Sequence, residues 1–218
     1  VFQEAAKTHK IDFKKSAVAV QGFGNVGSNT ARILHGMGVK VVAVSDARIG
    51  IHNPKGINVP EAIEHVKKNR VLSGFQKGDE ITNAQLIELD CDVLIPAALD
   101  NQIQKGNAAN VRAKMIVEGA NSPTTYEADE ILEKKGIPVI PDILANAGGV
   151  TVSYFEWAQN LQQFRWDVDH VNDELEKVMV RAYRGVEEMS RKHKVSMRIA
   201  AFILAVDRVA RATRLRGY

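Results

Sequence analysis

Ala17-Val18-Ala19-Val20-Gln21-Gly22-Phe23-Gly24-Asn25-Val26-Gly27 joins a short apolar, β-prone run to a G-x-G-x-x-G turn. Glycine patterns this short recur by chance, so the surroundings decide the reading. A strand precedes the turn. After it Ala31, Ile33, Leu34 and Met37 fall at the spacing of a helix face, and Gly38 suits the helix stop. Lys40–Ser45 then reads as a second strand, apolar as buried parallel strands are, and it ends at Asp46. In that setting Gly22 permits a tight turn, Gly24 lets the backbone approach a pyrophosphate, and Gly27 lets strand and helix pack closely. The helix start through Phe23, Asn25 and Val26 offers unpaired N–H groups and a positive dipole end to phosphates. Asp46 is placed to accept a hydrogen bond from a ribose 2′-hydroxyl. A carboxylate repels a 2′-phosphate, which favours NAD as the cofactor. NADP stays open, because Arg48, His52 and Lys55 could offset that charge.

Outward from this unit the alternation continues. Asn53-Pro54-Lys55-Gly56 reads as a turn, followed by short helices at Val59–Lys68 and Ala84–Leu89. Cys91–Pro96, Met115–Glu118 and Val139–Pro141 read as further strands, with a helix at Ala128–Lys135 between the last two. Strand, helix, strand repeated in this way predicts an α/β fold, a doubly wound Rossmann-type parallel sheet with helices on both faces. From about Gly149 the strands stop and three helices are predicted: Val150–Asn160, Asp169–His193 and Met197–Arg214. In the second, Val171, Leu175, Val178, Met179, Ala182, Val186 and Met189 form a packing stripe. The expected division is a dinucleotide-binding domain over 1–155 and C-terminal helices over 156–218 that pack back on it near Val1–His9.

Composition agrees with a globular chain: 218 residues, 45% hydrophobic, 25% charged, net charge +3. The densest basic run, Arg208, Arg211, Arg214 and Arg216, reads as a solvated helix end complementing the dipole. Neither nucleic acid nor a membrane is expected as partner, and no apolar stretch is long enough to span a bilayer. Cys91 is the single cysteine. No intrachain disulfide can form, which fits a reducing cytoplasm, and flanking Asp90 and Asp92 argue for an inert buried thiol. No metal site is expected. The first residue is Val1 rather than Met, from which an upstream segment is expected.

Three more segments stand just past predicted strand ends, where ligands of open α/β sheets bind: Pro96-Ala97-Ala98, Glu118-Gly119-Ala120-Asn121, and Asp142 to Gly149 around Asn146. Small residues flanking an amide suit a ribose or a carboxamide. On spacing alone Asn121 and Asn146 could equally cap turns.

Taken together, Gly22–Gly27, Ser45-Asp46, Asn53–Gly56, Pro96–Leu99, Glu118–Thr125 and Pro141–Val152 resemble the glutamate, leucine, phenylalanine and valine dehydrogenase family. Ser153-Tyr154-Phe155-Glu156-Trp157-Ala158-Gln159-Asn160 resembles its glutamate enzymes most closely, although Ala158 stands where many relatives carry a bulkier Val. The resemblance covers essentially the whole chain. It implies a coenzyme-binding domain of an oxidoreductase of amino-acid metabolism, which converts L-glutamate to 2-oxoglutarate and ammonia while hydride passes to a nicotinamide. It further implies that Gly22–Gly27 hold the pyrophosphate and Asp46 the adenosine ribose, with Ala97 and Ala98 close by. Asn121 would meet the nicotinamide-side ribose and Asn146 the carboxamide, while Val150 and Ser153 would line the substrate pocket.

One part of the family's pattern is missing. Its catalytic lysine and aspartate, and the lysine for the substrate's distal carboxylate, belong to an N-terminal substrate domain with a Lys-Gly-Gly motif, and no Lys-Gly-Gly occurs here. Glu118, Asp142 and Asp207 read as structural instead. The isolated chain is therefore expected to bind cofactor, to be catalytically inert, and to be monomeric or weakly associated, in contrast to a parent homohexamer. Two alternatives remain: a stand-alone dinucleotide-sensing module, or the coenzyme domain of a leucine, phenylalanine or valine dehydrogenase.

Overall fold

A computed structural model describes residues 1–217. The predicted C-terminal segment runs to Tyr218, which lies outside the described residues. In chain order the elements are α1 (Phe2–Thr8), β1 (Ala17–Gln21), α2 (Asn25–Gly36), β2 (Lys40–Ser45), β3 (Gly50–His52), α3 (Val59–Asn69), β4 (Asp79–Ile81) and α4 (Asn83–Ile87). Then come β5 (Val93–Pro96), β6 (Met115–Val117), α5 (Tyr126–Lys134), β7 (Val139–Ile140), α6 (Asp142–Ala145), α7 (Ala147–Gln162), α8 (Val168–His193) and α9 (Met197–Leu215).

The strands form one sheet in the order β4-β3-β2-β1-β5-β6-β7. β2, β1, β5, β6 and β7 are parallel. β3 and β4 add an antiparallel edge that the sequence reading did not contain. Each has only three residues, and Asp79-Glu80-Ile81 has no apolar periodicity, so pairing there rests on backbone hydrogen bonds. Antiparallel pairing needs only a tight connection, and residues 46–49 supply it: the Asp46 N–H donates to the Ile49 carbonyl at 2.9 Å.

Strand alternation divides the core into two layers. Val18, Val20, Val93, Ile95, Met115 and Val117 face α1, α2, α8 and α9. Ala19, Leu94 and Ile116 face the other way, toward Leu86 and Ile87 of α4 and Ala128 and Leu132 of α5. Helices thus cover both faces, as the continuous apolar strands demand.

Tyr183, Val186, Ala200 and Ala201 join the same core layer as Phe2, Ala5 and Ala6, and Arg184 pairs with Glu4 at 3.1 Å. The expected division at residue 155 falls inside α7, which runs unbroken from Ala147 to Gln162. Two helix faces differ from their predicted stripes. In α2 only Ala31 and Leu34 of the four named residues are buried; Ile33 and Met37 are exposed. In α8 the deepest side chain is Tyr183, which the aliphatic stripe left out, while Val178 is exposed. Among the described residues no helix is long and apolar enough to cross a membrane.

Cys91 is buried, and burial, reinforced by Asp92 and Asp90, pushes its thiol up to about 12. A thiol reagent at pH 8 should therefore label Cys91 only after denaturation. Stoichiometric labelling of the folded chain within minutes would contradict this placement.

Candidate functional site

The chain leaves β1 for β2 on one side and returns to β5 on the other. At the carboxyl ends of β1 and β5 this switch opens a crevice. A groove of about 920 Å³ occupies it, lined by Gln21 to Val26, by Asp46 and Ala47 after β2, and by Ala97, Ala98 and Leu99 after β5.

The three glycines of the turn do different things. Gly22 has φ +93°, and a Cβ there would lie 2.7 Å from the Ala97 carbonyl oxygen. A Cβ on Gly27 would lie 1.8 Å from the Gly22 carbonyl oxygen, so only glycine lets α2 begin against the end of β1. A Cβ on Gly24 would meet no heavy atom within 4 Å. The open space above Gly24 is where an incoming ligand could approach the backbone. The turn is fixed from beneath, since the Gly22 N–H donates to the buried Ser45 hydroxyl at 3.2 Å.

Helix α2 starts at Gly24 with no side-chain cap and no acidic residue in its first turn. α3, α5, α8 and α9 begin under a capping side chain, from Asn58, Thr125, Asp167 and Ser196, whereas α1, α6 and α7 start uncapped as α2 does. The first N–H groups of α2 therefore have no side-chain acceptor.

Asp46 stands in the groove, but its carboxylate is also the keystone of the hairpin turn. Oδ1 accepts the N–H groups of Arg48 (2.7 Å) and Ile49 (3.0 Å), and Oδ2 accepts that of Leu72 (2.6 Å). Partial burial alone would raise its pKa. The three N–H donors, helped by Arg48, outweigh burial and hold the carboxyl below its usual range. The basic residues that line the groove are Lys67 and Arg70, at the end of α3; Arg48, His52 and Lys55 do not. The basic side chains of the groove thus stand at a helix terminus that sequence proximity to Asp46 did not suggest.

Gln21 and Gln102 were also missed. Gln21 is fully buried, its Nε2 donates to Gln102 Oε1 at 2.7 Å, and its own Oε1 has no partner in the fold. The pair ties the loop after β5 to the end of β1. The available signal was a lone amide ending an otherwise apolar strand.

Asn121 and Asn146 meet directly: Asn146 Nδ2 donates to Asn121 Oδ1 at 2.7 Å. They stand past β6 and β7, next along the sheet from the groove but not lining it. Val150 is 70% exposed on the first turn of α7. Ser153, also exposed, turns its hydroxyl back onto the Gly149 carbonyl at 3.2 Å. The structure gathers the glycine turn, Asp46, Ala97 and Ala98 into one groove, and leaves Val150 and Ser153 on an open surface.

The sequence matches the Glutamate/Leucine/Phenylalanine/Valine dehydrogenase family over residues 1–217. It is 57% identical over 208 residues to glutamate dehydrogenase of Thermotoga maritima, covering 95% of this chain and 50% of that protein. It is 46% identical over 216 residues to the cryptic catabolic NAD-specific glutamate dehydrogenase GudB of Bacillus subtilis, covering 99% of this chain and 50% of that protein. Among solved structures, hetero-hexameric glutamate dehydrogenase from Thermus thermophilus superposes with a TM-score of 0.94 at 31% identity, covering 100% of this chain and 51% of that one. The chain thus spans about half the length of the relatives it matches.

Proposed function

The chain belongs to the glutamate/leucine/phenylalanine/valine dehydrogenase family, and from that premise we propose that it is the coenzyme-binding half of a glutamate dehydrogenase. The observation that carries this reading is the glycine turn: Gly24 faces open space below the uncapped start of α2. The residues present fit a dinucleotide. Gly22, Phe23, Gly24, Asn25, Val26 and Gly27 hold the pyrophosphate, Ala97 and Ala98 flank it, and Asp46 and Ala47 border the adenosine ribose. The Asn146–Asn121 bond leaves Asn121 Nδ2 to donate to the nicotinamide-side ribose and Asn146 Oδ1 to accept from the carboxamide. Val150 and Ser153 border the substrate.

When bound, NAD or NADP supplies the hydride acceptor for oxidation of L-glutamate to 2-oxoglutarate and ammonia. This chain's part is to bind and orient. A dehydrogenase needs donor and acceptor held in contact, and the proton-moving lysine and aspartate expected for that step belong to a separate substrate domain. Glutamate as the substrate is supported by the relatives' names. Calorimetric titration of this chain with NADH should give saturable binding at one site per chain. Added glutamate and NAD should give no NADH formation near ordinary enzyme rates, and light scattering should show a monomer or a weak oligomer. Absence of nucleotide binding would remove the assignment; glutamate-dependent turnover would remove the inertness.

A further inference from the structure

Arg198, in the first turn of α9, is the centre of a cluster that the coenzyme reading does not use. Its side chain is only 16% exposed and meets three carboxylates. Nη2 donates to Glu118 Oε1 at 2.7 Å and Nη1 to Glu118 Oε2 at 3.0 Å, a two-pronged grip on a fully buried side chain. Nη1 also approaches Asp142 Oδ1 at 3.4 Å, and Nε donates to Asp129 Oδ2 at 2.9 Å.

Two of these carboxylates carry the grip onward to backbone. Glu118 Oε2 accepts the Asp142 N–H at 2.8 Å, which joins the end of β6 to the start of α6. Asp142 Oδ2 accepts the Ser122 N–H at 2.7 Å. Ser122 has φ +45°, a left-handed conformation that costs a non-glycine residue energy and persists only where its neighbours hold it. Asn121 directly precedes Ser122, and Asn146 ends α6. The third carboxylate, Asp129, leads away into α5.

We propose that Arg198 is a positioning residue which, through Glu118 and Asp142, sets the geometry of the Asn121–Asn146 amide pair and so the nicotinamide end of the coenzyme site. The inference rests on the coenzyme reading above. A fork-shaped guanidinium can hold both oxygens of one carboxylate while reaching a second, which a lysine cannot do. Buried carboxylates left without that partner would repel one another and pull the two loops apart.

The test compares NADH with ADP, which lacks the nicotinamide half, as ligands of this chain and its variants, with melting temperature recorded alongside. Arg198→Lys should raise the Kd for NADH about tenfold while the Kd for ADP stays within about twofold. Asp142→Asn cuts the same arm at its far end and should reproduce the selective loss even if Arg198→Lys fails to fold. Asp129→Asn should lower the melting temperature and leave both Kd values unchanged. Equal losses for the two ligands, no loss for either, or a selective loss in Asp129→Asn would each overturn the role. A wild-type chain that binds neither ligand would remove the coenzyme reading itself and this inference with it.

Discussion

Gly24→Ala should abolish dinucleotide binding without changing the melting temperature, whereas Gly27→Ala should cost about 3 kcal/mol of stability. Both changes add one methyl to the same turn, and the difference lies in what it meets. At Gly27 the new carbon would sit 1.8 Å from the Gly22 carbonyl oxygen and 2.8 Å from the carbonyl carbon. Those are backbone atoms, so the start of α2 must move off the end of β1. That movement disturbs the packing of Ala31 and Leu34 beneath it. At Gly24 nothing stands within 4 Å, so the free chain tolerates the methyl. The methyl instead fills the space that a pyrophosphate needs in order to reach the N–H groups of α2. Thermal melts and NADH titrations of the two variants separate these effects. Equal stability losses, or an NADH affinity in Gly24→Ala within about threefold of the parent, would show that the turn is only structural.

That contrast shows how far the sequence could be read. The parallel strands and most helices were legible because burial on both faces forces continuous apolar runs, and period alone finds them. The antiparallel edge was not. β3 and β4 are held by backbone pairing, and Gly50-Ile51-His52 has no side-chain pattern that distinguishes a strand from a loop. The strand-end rule singled out Asn121 and Asn146, and in the fold their two amides meet. It could not reveal Arg198, whose partners Glu118, Asp129 and Asp142 lie 56 to 80 positions away in the chain. Long-range ion pairing leaves no local periodicity. The stripe on α2 failed for a local reason: Ala31 and Leu34 are buried, while Ile33 stands two residues, about 200°, round the helix from Ala31 and is exposed together with Met37.

Asp46 is where local reading and fold part most clearly, and Asp46→Ala should lose about 2 kcal/mol of stability at neutral pH, with NAD affinity falling as a secondary effect. The spacing rule treats this carboxylate as a ribose ligand. In the fold it already accepts three N–H groups, from Arg48, Ile49 and Leu72, and alanine would leave all three without a partner. The pH dependence follows from the depressed carboxyl. A group whose folded pKa lies below its unfolded value of about 4 contributes fully above that value and loses its contribution as pH falls through the folded pKa. The stability gap between the parent and Asp46→Ala should therefore be constant from neutral pH to about pH 5 and shrink below about pH 4. A gap that persists unchanged at pH 2 would mean that the carboxylate does not hold the hairpin. Cofactor choice is better tested at the groove's basic residues. Lys67 and Arg70 line the same groove as Asp46, and neither shares the hydrogen bonds of the hairpin. Arg70→Ala should weaken NADP about tenfold, the loss expected when a guanidinium no longer meets a 2′-phosphate, and leave NAD nearly unchanged. If Arg70→Ala weakens both cofactors alike, Arg70 contacts the shared part of the dinucleotide and does not set the preference between them.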